Sequence, residues 1–525
     1  MTEAVPPAVA VPQAPVLQRD DVVLSRGRLA LVNRGITPAE ATAEDLLFVR
    51  SVLDAAGIDF LLVRGNDSRP VIAVDESRRA ALSAALAEAC AGEPFYSKAA
   101  VGTRRSSVLV GDGRLSAEGD PPAMILFRPR VSPRGGLRYG AAHGVRLEFW
   151  RREGGMVLAP ENALMRSAAP ADELVPASVD LHGMSWPTVA GMFETQAHDI
   201  DFDIDLVFSW VDGASIEWQR ARARRMRSYV VGEGDDSHAR FRQLDELKYA
   251  LRSVHLFAPW VRTIHIVTDS PRPEWLVDHP RVRIVPSEQF FSDRSVLPTH
   301  NSHAVESQLQ NIPGLSEHFL YSNDDMFFGR PVGPELFFSP GGVTRFIEST
   351  TRIGLGAADP RRSGFENAAR VNRGLLRERF GRMIARHLEH SPVPMRISVL
   401  RELEAEFPEE FARTAASAFR SATDISVTNS LYHYYALFTG RAVLERHAKV
   451  KYVDTTARAG LAEMARLLER RGTDLFCLND GSFPEIGDEE RATAVRQFLD
   501  DYFPVAAPWE REQGAERLGL SAERL

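Results

Sequence analysis

Cysteine is nearly missing from this 525-residue chain: Cys90 and Cys477 are the only two. Two thiols cannot build a disulfide framework, and neither lies in a Cys-x-x-Cys or Cys/His spacing of the kind that holds zinc. A basic excess is missing too, since 63 Lys and Arg face 71 Asp and Glu for a net charge of -8. General attraction to nucleic acid is therefore excluded and would need a local patch. The best such patch, RARARRMR from Arg220 to Arg227, reads as a solvated helix face. No apolar stretch is long enough to span a bilayer, and the opening MTEAVPPAVAVPQAPVLQRD lacks the basic start and apolar core of a secretory leader. The expected location is cytoplasmic, and any membrane association would be peripheral, at the inner face.

What is present is enough apolar sequence, 44% of residues, to bury more than one core. Residues 1–18 alternate Pro, Ala and Val and read as a disordered tail. From residue 19 to 195, helical spacing in LLFVRSVLDAAG and ESRRAALSAALAEACAG alternates with β-rich runs such as IDFLLVRG, AMILFRPR and VRLEFWRR. A smaller N-terminal α/β or α+β domain follows, with no motif assignable to chemistry. A second α/β pattern fills 196–525: DIDLVFSWVDG, VRTIHIVTDS, VRIVPSEQF and HFLYSNDDMFF each run apolar and end in polar residues. This predicts a mostly parallel, Rossmann-like sheet with helical additions, its ligand site beyond the strands' carboxyl ends. Gly341 to Arg379, rich in Gly, Arg and Asn, reads as an insertion or mobile loop over that site.

Four places carry residues with chemical potential. In SNDD, Asn323, Asp324 and Asp325 directly follow an apolar run, and paired carboxylates there suit magnesium or manganese as well as they suit a capping or Asx turn. Asp205, inside the run that leads to Trp210 and the Asp212-Gly213 turn, needs either a structural arginine or a cation. Asp269 closes the next strand in the same way. Asn301, His303 and Glu306 cluster at a helix start, which could take phosphate or simply be capped. His390 and Arg420 are residue types suited to proton transfer and to phosphate, without a local motif.

Taken in order, DIDLVFSWVDG, RFRQLDELKYALRSVHLFAPWVRTIHIVTD, LPTHNSHAVESQLQNIPGLSEHFLYSNDDMFFG, HSPVPMRISVLRELEAEFPEEF, FRSATDISVTNSLYHYY and CLNDGSF resemble the conserved blocks of the Stealth family. That family includes bacterial capsular polysaccharide phosphotransferases and the enzyme that makes the lysosomal mannose-6-phosphate tag. Ala214 and Ser215 stand where the family often has a second acidic residue, and His300 replaces a commoner Phe.

The resemblance implies transfer of a hexose-1-phosphate from a nucleotide diphosphate sugar to a hydroxyl of a sugar or polysaccharide acceptor, forming a phosphodiester. It implies a catalytic centre of Asp205, Asp324, Asp325, His390 and Arg420, with Arg420 as phosphate clamp and His390 either as base, the favoured role, or as a cation that stabilises the phosphate. Asp324 and Asp325 would hold a divalent cation, magnesium or manganese. Trp210, Asp212, Asp269, Asn301, His303, Glu306, Asn323, Asn479 and Asp480 would bind substrate. The rivals are a nucleotide-sugar-dependent glycosyltransferase and a non-catalytic sugar-binding protein of capsule assembly.

Overall fold

The run IDLVFS is buried at its first five positions and HFLYSN at its middle four, the pattern of strands covered on both faces. In the computed structural model, which describes residues 19–100, 106–134, 136–226, 244–481 and 484–511, these segments are the central strands of a five-stranded sheet. Its members are β1 (Ile204–Ser209), β2 (Ile264–Val267), β3 (Val282–Val285), β4 (His318–Asn323) and β6 (Val393–Arg396), in the order β3-β2-β1-β4-β6. The first four are mutually parallel, and β6 runs antiparallel at the edge. A second sheet of three strands, β5 (Met326–Phe328), β8 (Leu475–Asn479) and β7 (Val450–Asp454), continues directly from β4 through Asp324 and Asp325.

Helix α1 (Ile216–Arg225) follows β1, and α2 (Glu246–Phe257) precedes β2. Ten of the twelve α2 residues are buried, among them Lys248 and Arg252. Buried cations need partners. Glu510 supplies them, taking two hydrogen bonds of 2.7 Å from Arg252 and lying 3.7 Å from Lys248. This fastens the C-terminal segment to α2.

The stretch Gly341 to Arg379, expected to be an insertion or mobile loop, is instead two short strands, Thr344–Phe346 and Glu348–Arg352, and a 17-residue helix, Gly364–Phe380. The reason is local and visible in hindsight. Ser363 caps the Glu366 amide and Gly381 closes the helix in the left-handed region at φ 66°, while Ala368, Ala369 and Leu376 supply a narrow buried stripe among arginines.

The chain divides into two compact units, Met1–Thr195 and Gln196–Leu525. The first unit, over its described residues, holds an eight-stranded mixed sheet, a four-stranded sheet, a two-stranded hairpin and two α-helices, Pro38–Ala55 and Arg79–Ala89. Its core gathers Leu46, Val49, Leu53, Ile72, Leu82, Met124 and Leu147. The proposed tail, residues 1–18, lies outside the described residues. Each unit has its own apolar core. A fragment beginning at Gln196 is therefore expected to fold alone, with a single cooperative thermal transition and monodisperse elution. An aggregated or unfolded fragment would show that the second unit needs the first.

Candidate functional site

The parallel strands β1, β2 and β4 end at one edge of the sheet, and the residues beyond them open into a cleft of about 950 Å³. Asn323, Asp324 and Asp325 form its floor at the β4-β5 turn, where the amide of Leu478 donates to the Asp325 carbonyl at 3.0 Å. Burial, the neighbouring Asp325 charge and Glu246 push the Asp324 carboxyl well above its usual range. Glu246, at the start of α2, is itself raised by burial, against the opposing pull of the Leu244 amide. The Asp325 Oδ1 is buried with no hydrogen-bond partner. Three carboxylates thus face one space, which Arg222, Arg420 and Arg491 also line.

His390 enters from the segment before β6. Its Nδ1 lies 3.2 Å from the Asn479 Nδ2 and 3.4 Å from the Cys477 Sγ. The Asp480 amide donates to the Asn479 Oδ1 at 2.7 Å, which turns the Asn479 amino group toward the imidazole. Nδ1 is therefore an acceptor, and the proton of the neutral ring sits on Nε2. The Cys477 thiol donates to the Asp325 Oδ2 at 3.3 Å. Burial, then the Asp325 charge, keeps that thiol well above its ordinary pKa.

Arg420 lies on the loop after the helix Pro408–Ala416 and donates to the Ser302 Oγ at 2.9 Å. Asn301 holds this loop in place: its Nδ2 donates to the Asp424 Oδ2 at 2.8 Å and the Ser417 carbonyl at 3.1 Å, and its Oδ1 caps the His303 amide. Glu306 accepts from Thr428 at 2.8 Å, and His303 packs beside Asp424. These side chains border the cleft while also tying its walls together. Trp210, Asp269, Asn479 and Asp480 line it as well; Asp269 accepts from the Ser287 amide at 2.7 Å.

Two expected residues lie elsewhere. Asp212 makes an Asx turn with the Ala214 amide and faces a neighbouring recess of about 620 Å³, which shares Trp210 with the main cleft. Asp205, expected at the catalytic centre, sits four residues before the end of β1, roughly 13 Å from it along the strand. It is fully buried and wholly engaged: Arg262 binds it through two hydrogen bonds of 2.9 and 2.7 Å, and the amides of Thr263 and Ser316 and the ring of His265 complete its shell. Of the two partners its sequence left open, the structural arginine is the one present. Within RARARRMR, Arg220 and Arg224 are exposed, whereas Arg222 lines the cleft beside Trp218, and Arg227 lies outside the described residues.

Sequence reasoning missed Glu246, Arg222 and Cys477. Glu246 had a signal, an acidic residue in the first turn of a strongly apolar helix. Cys477 had none, because its partners are distant in the chain.

A mostly parallel sheet with carboxylates, an imidazole and a guanidinium gathered at its carboxyl edge defines an α/β protein whose crevice suits phosphorylated ligands. The chain belongs to the Stealth protein family: conserved regions 1, 2, 3 and 4 match residues 202–230, 240–346, 389–437 and 465–518. It is 60% identical over 491 residues to the exopolysaccharide phosphotransferase CpsY of Mycobacterium tuberculosis, covering 93% of this chain and 92% of that one. An exopolysaccharide phosphotransferase of Nocardia farcinica is 54% identical over 483 residues, covering 92% and 90%. These matches are longer than the second unit and so extend well into the first. Among solved structures, the galactosyltransferase LgtC overlaps with a TM-score of 0.30 at 12% identity, over 60% of this chain and all of that one.

Asp205 gives a stability prediction. Its burial raises its pKa, but the hydrogen bonds from His265, Arg262 and the Ser316 amide outweigh that and hold the carboxyl well below its usual 3.8. Its contribution is therefore complete at neutral pH and declines as pH falls below that value. Asp205→Ala is expected to lose about 2–4 kcal/mol at neutral pH, with a smaller deficit in acid, read from denaturant melts at both. Equal stability of the two proteins at neutral pH would show that the clasp contributes nothing.

Proposed function

We propose that the protein is an exopolysaccharide phosphotransferase that moves a hexose-1-phosphate from a nucleotide diphosphate sugar onto an acceptor sugar hydroxyl. The observation that carries this reading is the convergence of Asp324, Asp325, His390 and Arg420 in one cleft at the sheet's carboxyl edge. Phosphoryl transfer asks a protein mainly for positioning and for charge stabilisation, and these groups supply both. The acceptor oxygen forms a bond to the β-phosphorus, the bond to the bridging oxygen breaks, and nucleoside monophosphate leaves. The hydroxyl proton passes to a carboxylate of the cleft.

Asp324 and Asp325 fit a divalent cation, magnesium or manganese: their oxygens are hard donors, one is buried without a partner, and burial together with the Asp325 charge raises Asp324. When bound, such an ion supplies positive charge to the diphosphate oxygens. Arg420, steadied by Ser302, grips phosphate from the opposite wall. His390 acts as a hydrogen-bond donor through Nε2, because Asn479 occupies its other nitrogen. Of the two roles the sequence left open, base or phosphate stabiliser, this reading takes the second. Arg222 adds positive charge near Trp218, beside the donor's nucleotide. Among the described residues no helix is long and apolar enough to cross a membrane. The use of an activated nucleotide sugar favours action in the cytoplasm, at the inner face of the membrane where acceptor polymer is assembled.

The test is the leaving group. Purified protein with magnesium, a panel of nucleotide sugars and sugar acceptors should release nucleoside monophosphate, and excess chelator should stop it. Release of the diphosphate would make it a glycosyltransferase; binding without any release would make it a sugar-binding protein.

Separate variants test the His390 assignment. His390→Ala and Arg420→Ala should each lower kcat roughly a hundredfold with unchanged melting temperature. His390→Gln, which keeps an N–H donor but cannot act as a base, should recover part of that loss. If the glutamine variant is as inactive as the alanine one, a proton-accepting role replaces the donor role.

A further inference from the structure

The spacing of cysteines along the chain excluded zinc, yet the fold assembles a donor set that sequence spacing could not show. Asp325, His390 and Cys477 each offer one ligand atom, and these atoms lie within 4.8 Å of one another. The Cys477 Sγ is 3.3 Å from the Asp325 Oδ2 and 3.4 Å from the His390 Nδ1. A tetrahedral ion with metal–sulfur bonds of about 2.3 Å and metal–nitrogen bonds of about 2.0 Å sets neighbouring donors about 3.5 Å apart. The two separations from the sulfur match that spacing. Three further features favour a metal. The Nδ1 lone pair is free of a proton, as a metal-bound imidazole requires; the second Asp325 oxygen is buried and unpartnered; and the backbone is fixed, since Cys477 pairs with Met326 in the β5-β8 ladder.

We propose that Asp325, His390 and Cys477 form a site for a thiophilic divalent cation, zinc above all, distinct from the hard-cation role of Asp324 and Asp325. Mixed sulfur, nitrogen and oxygen ligation selects zinc over magnesium. Binding breaks the thiol S–H bond, forms the metal–sulfur bond and releases one proton to solvent, with no change of oxidation state. The Asn479 amino group gives way to the metal at Nδ1, and the open fourth position faces the cleft. Because the site shares Asp325 with the proposed catalytic cation and fixes His390, zinc there antagonises the transferase chemistry. That consequence rests on the proposed function; the binding itself does not.

Cobalt(II) tests the binding without donor, acceptor or turnover. The full-length protein titrated with cobalt should develop a thiolate-to-cobalt charge-transfer band and the intense visible bands of tetrahedral coordination, saturating at one ion per chain. Zinc should abolish the bands; a large excess of magnesium should leave them. Cys477→Ser, which preserves packing volume, should lose the charge-transfer band. Cys90→Ala should keep it, because Cys90 is the only other thiol. His390→Ala should weaken cobalt affinity at least roughly tenfold, as expected for loss of one ligand. Absence of the band in the wild-type protein overturns the proposal, as does its persistence in Cys477→Ser or its loss in Cys90→Ala. Failure of the phosphotransfer assay with the band intact would refute the reaction and leave the site standing.

Discussion

Crowded negative charge at the carboxyl edge of the sheet governs this molecule. Asp324, Asp325 and Glu246 are brought together by elements that cannot move apart: a central strand, the turn leaving it, and the first turn of a helix buried along nearly its whole length. Burial in such a place, and after it the charges of Asp325 and Glu246, raise the Asp324 carboxyl. A fold that spends stability this way without compensation would shed the carboxylates. In the proposed reaction that compensation is ligand charge, from a cation and from the arginines that a phosphate in turn requires.

The rest of the second unit reads as support for that arrangement. The Asp205 clasp binds Arg262, His265 and the amide of Ser316, so it pins the starts of β1 and β4 and the approach to β2 together. The strands stay paired to their carboxyl ends, where Ser209 lies opposite Val267 and Asn323, and the cleft opens beyond those residues. Asn301 does comparable work on the far wall. Its four hydrogen-bonding contacts join the short helix Ser302–Glu306 to the loop of Arg420, so a guanidinium carried on irregular backbone is held by its neighbours' side chains.

Much of this was legible in the chain. Continuous apolar runs ending in polar residues gave the parallel strands and pointed to their carboxyl ends, and Asp324, Asp325, His390 and Arg420 all line one cleft there. What was not legible has physical causes. Asp205 lies within an apolar run and Asp324 directly after one, and the sequence does not show that Arg262 across the sheet makes the first a structural acid. Helix Gly364–Phe380 hid behind its arginines, because a buried stripe of alanines gives little hydrophobic contrast although the caps at Ser363 and Gly381 were there to read. Glu246 faces the cleft from the first turn of α2, a helix buried at ten of its twelve positions.

The imidazole of His390 brings these strands of argument together. Strand alternation places Cys477 and Asn479 on the same face of β8, and both reach the same nitrogen of that ring. An amide that donates to Nδ1 commits the proton to Nε2 and makes the ring a donor toward the cleft. A thiol beside the same nitrogen, already hydrogen-bonded to Asp325, offers a soft metal a third ligand. One lone pair therefore cannot serve both states: it is held by Asn479 when the ring presents its N–H to phosphate, and by a metal when Cys477 gives up its proton. On these proposals the two states exclude each other through a single atom, and the relative availability of hard and soft cations would decide which of them is populated.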